Sequence, residues 1–278
     1  MSTISRGYAP GPYGQLHYRI APYSGSDGEE SGPPLLCLHQ TPSHSADWLS
    51  IMQPLAKGRT VIALDTPGYG MSDGPDAPTT IEDYAATADT FMARLAQDGV
   101  LPADTQSYDV MGFHTGSLVA TELAQSRPER VRRVVVFGLA AYPEDIRQTK
   151  LANLRGAFPE PGPDLAHVEK LWAIIGTLSD PRITWEERHV SMAECLRLGS
   201  RMPWGYVAVY RYDFLGAMAK VGQPVLVMNP EDDLWEVTRR TSHLFANGQR
   251  VDMPGVAHGV LKLETDRVVE TITGFLDP

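Results

Sequence analysis

The chain reads as an α/β protein: a mostly parallel central sheet flanked by helices, with a helical cap inserted into it. Three observations carry this reading. From residue 33 onwards, short apolar runs alternate with helical patterns, the order expected of a parallel sheet covered by helices. Gly112-Phe113-His114-Thr115-Gly116 joins an apolar run to a helical pattern through a glycine-bounded turn. Between about Pro143 and Gly216 no convincing strand interrupts the helical patterns.

Each element follows from its residues. Gln15 to Ile20 alternates like an edge strand, and Ser24 to Pro34, rich in Gly, Ser and acids, reads as a loop. Leu35–Leu38 and Thr60–Leu64 are short buried strands. Ile81 to Gln97 repeats apolar residues at helical spacing (Ile81, Tyr84, Ala85, Ala88, Phe91, Met92, Leu95). Tyr108–Met111 is the strand entering the glycine turn, and Ser117 to Gln125 the helix leaving it. Val131–Phe137, Val225–Met228 and Gln249–Met253 continue the strand series, and a last helix runs from about Glu264 to Phe275. There is no internal repeat.

The turn at 112–116 has the form Gly-x-Ser-x-Gly with histidine at its centre. Glycines at both ends suit a turn so tight that side chains there would clash, and the middle side chain is lifted above the sheet edge. Its tip needs φ > 0, where histidine is among the few enriched non-glycine residues. The strandless stretch opens with helix-like Glu144–Leu154 and passes through Phe158-Pro-Glu-Pro-Gly-Pro163. It continues through helical patterns bearing Trp172, Trp185 and Trp204. The division is therefore a core of residues 1–142 and 217–278 and a cap of residues 143–216.

Bulk properties narrow the function. The 278 residues carry 24 Lys plus Arg against 34 Asp plus Glu, a net charge of -10, which argues against nucleic acid or an anionic membrane as partner. Cys37 and Cys195 make no disulfide framework. Met1-Ser-Thr-Ile-Ser-Arg6 lacks an apolar signal region, and no apolar stretch is long enough to span a bilayer. A cytoplasmic protein acting on a small apolar or aromatic molecule is expected, with no cofactor; a homodimer is left open.

Four segments now stand in a known order. They are Leu38-His39-Gln40-Thr41-Pro42; Leu64-Asp65-Thr66-Pro67-Gly68-Tyr69-Gly70-Met71-Ser72-Asp73; the glycine turn; and Asn229-Pro230-Glu231-Asp232-Asp233 with Pro254-Gly255-Val256-Ala257-His258-Gly259. Together they resemble the α/β-hydrolase fold superfamily, from about residue 15 to the end, with the cap inserted after strand 6. Two residues depart from the pattern. His114 stands where the nucleophile elbow has Ser, Asp or Cys, and Gln40 where the third-strand turn has glycine. His-Gln-Thr-Pro together with x-His-Thr-Gly resembles a subset of hydrolase-like bacterial proteins, so His114 reads as native.

The resemblance implies a site. The amides of Thr41 and Thr115 would form the oxyanion hole. Asp233, 25 residues before His258, would be the acid that orients it, with Asp232 as the alternative. His39 is expected to brace the oxyanion loop, while Gln40 faces either the site or the sheet edge. Trp48, Trp204, Tyr210 and Trp235 are the candidates for the pocket lining.

His114 admits several chemistries. Its reference pKa is about 6.5, and a helix N-terminus with a second imidazole nearby disfavours its charge, so a neutral ring is expected. A neutral imidazole can attack a carbonyl, and His258 with Asp233 would activate the water that hydrolyses the acyl-imidazole. That makes a hydrolase of esters, lactones or related carbonyl compounds. Alternatively His114 acts as acid or base in cofactor-independent C–C bond hydrolysis or a lyase step, or the site is inactive and the protein is a small-molecule receptor. Two imidazoles and a carboxylate formally make a metal triad, but no His-x-x-x-His pattern accompanies them and no metal is expected. Ser43, Ser45, Ser72, Ser117 and Thr115 rank below His114 as nucleophiles.

Overall fold

The strands are β1 (Ser5–Gly11), β2 (Gly14–Ala21), β3 (Leu35–Leu38), β4 (Val61–Leu64), β5 (Tyr108–Phe113), β6 (Val131–Phe137), β7 (Val225–Pro230) and β8 (Gly248–Met253). They form one sheet in the order β1-β2-β4-β3-β5-β6-β7-β8. β1 and β2 pair antiparallel, as do β2 and β4; every later pair is parallel. This computed structural model describes residues 3–25, 32–158 and 160–277. Parts of the expected 24–34 loop and of the Pro/Gly-rich segment, and the first two residues, lie outside them.

The helices are α1 (Leu49–Leu55), α2 (Ile81–Gln97), α3 (Thr115–Ser126), α4 (Glu144–Ala152), α5 (Leu154–Ala157), α6 (Ala166–Leu178), α7 (Trp185–Leu198), α8 (Trp204–Arg211), α9 (Phe214–Met218), α10 (Trp235–Thr241), α11 (Val260–Leu263) and α12 (Thr265–Leu276). α4 to α9 all fall between β6 and β7, so the insertion is helical and follows the sixth strand. The central strands are buried on both faces, which is why they read as continuous apolar runs. Their side chains divide with period two. Leu36, Leu38, Val134, Val136, Val225 and Val227 pack toward α2, α3 and the cap. Leu35, Cys37, Val135, Phe137, Leu226 and Met228 pack toward α1 and α12.

Local chemistry sets the element ends. Thr80 Oγ1 accepts from Asp83 N (3.1 Å) at the start of α2, with Glu82 and Asp83 in its first turn, complementing the helix dipole. Thr184 and Glu187 form a capping box on α7. β1 is an addition to the expected series. It carries Gly7, Pro10 and Gly11 and is largely exposed, so it lacks the apolar alternation that marks β2, and Pro10 is tolerated because the strand lies at the sheet edge.

The register gathers the functional segments. Leu38 pairs with Gly112, Phe113 with Phe137, Phe137 with Met228, and Pro230 with Met253. The residues that follow each strand therefore emerge along one carboxyl edge, where open α/β sheets bind ligands.

Candidate active site

The turn after β5 is as tight as its glycines require. A Cβ on Gly112 would fall 2.1 Å from Gly116 O, and one on Gly116 would fall 1.9 Å from Leu38 O. His114 sits between them at φ 47°, and it has positive φ alone among the described non-glycine residues. Its N–H donates to Phe137 O (2.8 Å) and its carbonyl accepts from Ser117 N (2.8 Å). Ser117 is fully buried, and its hydroxyl bonds Gly112 O (3.0 Å) and Phe137 O (2.9 Å). It staples the elbow and presents no nucleophile.

The His114 ring stacks on Phe113 (centroids 4.8 Å) and meets the His258 ring edge to face (5.0 Å, 77°). Its Cδ2–Nε2 edge lies over Gly138, where a Cβ would fall 2.6 Å and 2.7 Å from those atoms. Glycine at the end of β6 thus makes room for an imidazole at the elbow.

Two separate His–Asp pairs result. His114 Nε2–H donates to Asp232 Oδ2 (2.9 Å), and His258 Nε2–H donates to Asp233 Oδ1 (2.8 Å). The Asp232 side chain is fully buried, while that of Asp233 is 47% exposed. Asp232 Oδ1 also accepts from Leu234 N (2.8 Å), which fixes the carboxylate from both sides. The acid turn is tied to the histidine loop by Glu231 N to Val256 O (2.7 Å) and Gly255 N to Glu231 Oε2 (2.7 Å). Asp233 and Asp232 are therefore not alternatives for one histidine; each serves its own.

This pairing opposes the expected charge preference of His114. Burial pushes its pKa down, but the charge of Asp232, the hydrogen bond to it and the charge of Asp233 outweigh burial and leave it raised. The neighbouring carboxylates thus pull against the neutral ring that the sequence suggests. Asp233 is held down at about 2: burial opposes this, and the His258 hydrogen bond with the nearby imidazoles overrides it. With Nε2 carrying the proton in each ring, Nδ1 is the lone-pair side of each neutral imidazole. The four side chains bring one donor atom each within 4.8 Å of one another, a spacing that a divalent cation could also use.

The loop after β3 is held by hydrogen bonds. Buried His39 donates from Nδ1 to Gln40 O (2.7 Å), and its Nε2 accepts from Thr66 N (3.0 Å). Burial lowers its pKa, in keeping with an acceptor nitrogen. Asp65 gathers the second motif: its carboxylate accepts from Ser45 N (2.6 Å), Met71 N (2.8 Å) and His17 Nδ1 (2.7 Å). Thr115 opens α3 and Thr41 lies just beyond β3. Gly205 of the cap touches Thr41, whose Oγ1 would stand 2.4 Å from a Cβ there.

Beneath the cap lies a cavity of about 490 Å³. Gln40, Thr41, Phe113 and His258 form its floor, with Leu171, Ile175, Leu178, Met202 and Tyr206 among its apolar walls. His114 does not line it. Of the residues expected at the pocket, Trp48 is fully buried on the opposite layer against Phe137 (6.4 Å), because the short 3-10 helix carrying it (Ser45–Trp48) turns it toward α1 and α12. Trp204 lines a separate cavity of about 320 Å³. Trp235 opens α10 under the guanidinium of Arg239 (5.5 Å). Tyr210 stands among Tyr142 (6.5 Å) and Tyr206 (6.4 Å), its phenol pushed up by burial and then by Asp233. The sequence reading does not single out Tyr142 or the cap residue Asp180, which bonds the histidine loop; nothing local in the sequence marks them.

Comparison with known proteins agrees with this architecture. The profile of the alpha/beta hydrolase fold family matches residues 33–157. The chain is 27% identical over 255 residues to 2-(acetamidomethylene)succinate hydrolase of Mesorhizobium japonicum, covering 89% of each chain. It is 36% identical over 114 residues to 2-hydroxymuconate semialdehyde hydrolase of Pseudomonas sp., covering 40% of this chain and 38% of that one. The crystal structure of the enol-lactonase from Burkholderia xenovorans LB400 superposes with a TM-score of 0.75 at 20% identity, covering 98% of this chain and 100% of that one. The chain has the α/β-hydrolase fold: an eight-stranded, mostly parallel sheet flanked by helices with a helical insert after β6. Among the described residues, no helix is long and apolar enough to cross a membrane.

Proposed function

We propose that the protein is an enzyme that hydrolyses an ester, lactone or related carbonyl group in a small, uncharged, largely apolar or aromatic molecule. The observation that carries this is the pair of His–Asp couples set edge to face at the elbow, one of them, His258, on the floor of the cavity beside the oxyanion loop. In this reading Asp233 fixes the tautomer of His258, whose Nδ1 takes a proton from water as that water attacks the carbonyl. The amides of Thr41 and Thr115 receive the developing oxyanion. The proton on His258 then passes to the leaving group.

Asp232 and Asp233 raise the pKa of His114 against its burial, which favours a proton on that ring. An imidazolium whose N–H is given to Asp232, outside the cavity wall, suits a positive charge beside the oxyanion better than a nucleophile. Such a group also serves C–C bond hydrolysis, where a carbanion must be protonated, and the segment similar to the 2-hydroxymuconate semialdehyde hydrolase supports that second reading. The cavity wall carries three carboxylates, Asp47, Glu187 and Glu194; Lys262 pairs with Glu187 and Arg197 with Glu194, so among the described residues no cation of the wall is left over for an anionic substrate. Such a wall repels dianions, so the succinate derivative named for the Mesorhizobium relative is not the expected substrate type.

Intact-mass spectrometry after rapid acid quench with a neutral aryl ester tests this, on the parent protein and His114→Ala. Turnover without an adduct supports the water mechanism. An acyl adduct present only with His114 would make that residue the nucleophile. Binding without turnover would turn the protein into a receptor.

A further inference from the structure

The insert does more than roof the cavity: it grips the loop that carries His258. Ser179, at the end of α6, forms a parallel bridge with His258, and Asp180 N donates to His258 O (2.9 Å). Asp180 Oδ2 accepts from Ala257 N (3.0 Å), so one cap residue bonds the backbone on both sides of the Ala257–His258 peptide. Asp180 is only 2% exposed. Its carboxylate is held by Arg182 through Nε to Oδ1 (2.9 Å) and Nη2 to Oδ2 (3.0 Å), and Arg182 Nη2 also donates to Gly255 O (3.2 Å). Arg188 of α7 donates to Asp180 O (3.3 Å). Behind the loop, Ile183 packs where a Cβ on Gly259 would stand (2.6 Å).

We infer that Asp180 is a positioning residue for His258, a latch by which the cap fixes the ring that meets Asp233. The inference rests on the proposed role of His258 as base. A buried carboxylate is retained at such a place when it is fully bonded, and Asp180 satisfies backbone N–H and guanidinium donors at once. Its neighbours on every side are accounted for: Arg182 and Arg188 from the cap, Ala257 and His258 from the loop, and Glu264, which shares Arg182 (3.2 Å). The consequence is geometric. Any displacement of the 179–183 turn shifts the His258 backbone and loosens a hydrogen bond that ends on a half-exposed aspartate.

The test is Asp180→Ala, read by imidazole nitrogen NMR of His258 without substrate and by steady-state kinetics. The His258 Nε2–H tautomer signature is expected to be lost. kcat is expected to fall on the order of 10- to 100-fold, with KM changed little because the cavity walls remain. Asp180→Asn keeps an acceptor for Ala257 N–H and is expected to restore most of both readouts. Should the alanine variant not fold, Asp180→Ser, whose hydroxyl is too short for the same bond, carries the test. Parent-like His258 signals and an unchanged pH profile in a folded Ala or Ser variant would overturn the latch. Full activity of His258→Ala would instead sink the base role, and the ring signals would still decide the latch.

Discussion

The imidazoles of His114 and His258 stand 5.0 Å apart at 77°, and each gives its N–H to a different carboxylate, Asp232 for the first and Asp233 for the second. Two neighbouring aspartates thus bond two different histidines. Asp232, buried and doubly bonded, holds the Nε2–H tautomer of His114; Asp233, half exposed, bonds a ring that lines the cavity.

Replacing each acid separately exposes this division. Asp232→Asn removes the charge that raises the His114 pKa, so that pKa is expected to fall while His258 keeps its partner. Asp233→Asn leaves the His114–Asp232 pair in place and frees the His258 tautomer. Both are expected to lose activity, on the order of 10²- to 10⁴-fold in kcat, but the first moves the His114 nitrogen shifts more than the second, because Asp232 both bonds the ring and is the larger charge effect on it. Identical NMR responses in the two variants would show that the pairs act as one coupled site.

The pH dependence follows from the shifts. His114 is raised above its ordinary value of about 6.5, so it contributes stability that is fully present below about 6.5 and is lost as pH rises through the folded value. Activity that needs its proton declines over the same upper window. Asp233 is lowered to about 2, so its contribution is present above the ordinary carboxylate value of about 3.9 and is lost as pH falls toward about 2. Thermal unfolding followed from pH 2 to pH 9 checks both limbs. In His114→Gln the alkaline loss of stability is expected to shrink; if it persists undiminished, another group is responsible.

Gly138→Ala tests the space made for the elbow ring. Its φ of 63° costs an alanine about 1–2 kcal/mol, and the new Cβ would stand 2.6 Å from His114 Cδ2. The ring must swing off Asp232 to relieve that contact. A lower Tm together with loss of the His114–Asp232 signature is expected. A destabilised variant with parent kinetics and parent His114 signals would show that the clash is absorbed by the backbone.

Legibility of the sequence tracked the range of the interactions. Strands such as Val131–Phe137 are buried on both faces and announce themselves as apolar runs, and the turn at 112–116 is local enough that its two glycines specify it. β1 escaped notice because Gly7, Pro10 and Gly11 dilute it and solvent faces most of it. The upward pull on the His114 pKa is not legible in the sequence because the carboxylate that bonds the ring lies 118 residues away, whereas the helix terminus that suggests neutrality is adjacent. Asp180 reads as part of a solvated Ser-Asp-Pro-Arg turn, and only the fold brings it to His258. Trp48 sits a few residues from the oxyanion loop in sequence, yet one short helix carries it to the other side of the sheet.

Metal removal separates two chemistries that the quartet could support. In this structure both imidazole N–H groups are given to carboxylates, an arrangement suited to proton handling; ligation would need a deprotonated nitrogen from each ring aimed at a shared point. Dialysis against a chelator is therefore expected to leave turnover and Tm unchanged. Loss of both, restored by Zn²⁺ or Mn²⁺, would recast the four side chains as ligands.

Charge selection by the cavity can be measured on a single leaving group. Asp47, Glu187 and Glu194 line the wall, the ammonium of Lys262 is spent on Glu187, and Arg197 is spent on Glu194. Burial pushes the Asp47 carboxyl up, against its Ser43 hydrogen bond and the nearby His39 and His44. An anionic acyl group brought against such a wall meets like charge at low dielectric, where repulsion is far stronger than in water. Aryl hexanoate is therefore expected to exceed aryl hemisuccinate in kcat/KM by at least about tenfold, a difference of roughly 1.4 kcal/mol. Asp47→Asn should narrow that ratio through the hemisuccinate, leaving the hexanoate nearly unchanged. Equal rates on the two esters in the parent protein would place the acyl group outside this cavity and move the search for the substrate to the exposed side of Asp233.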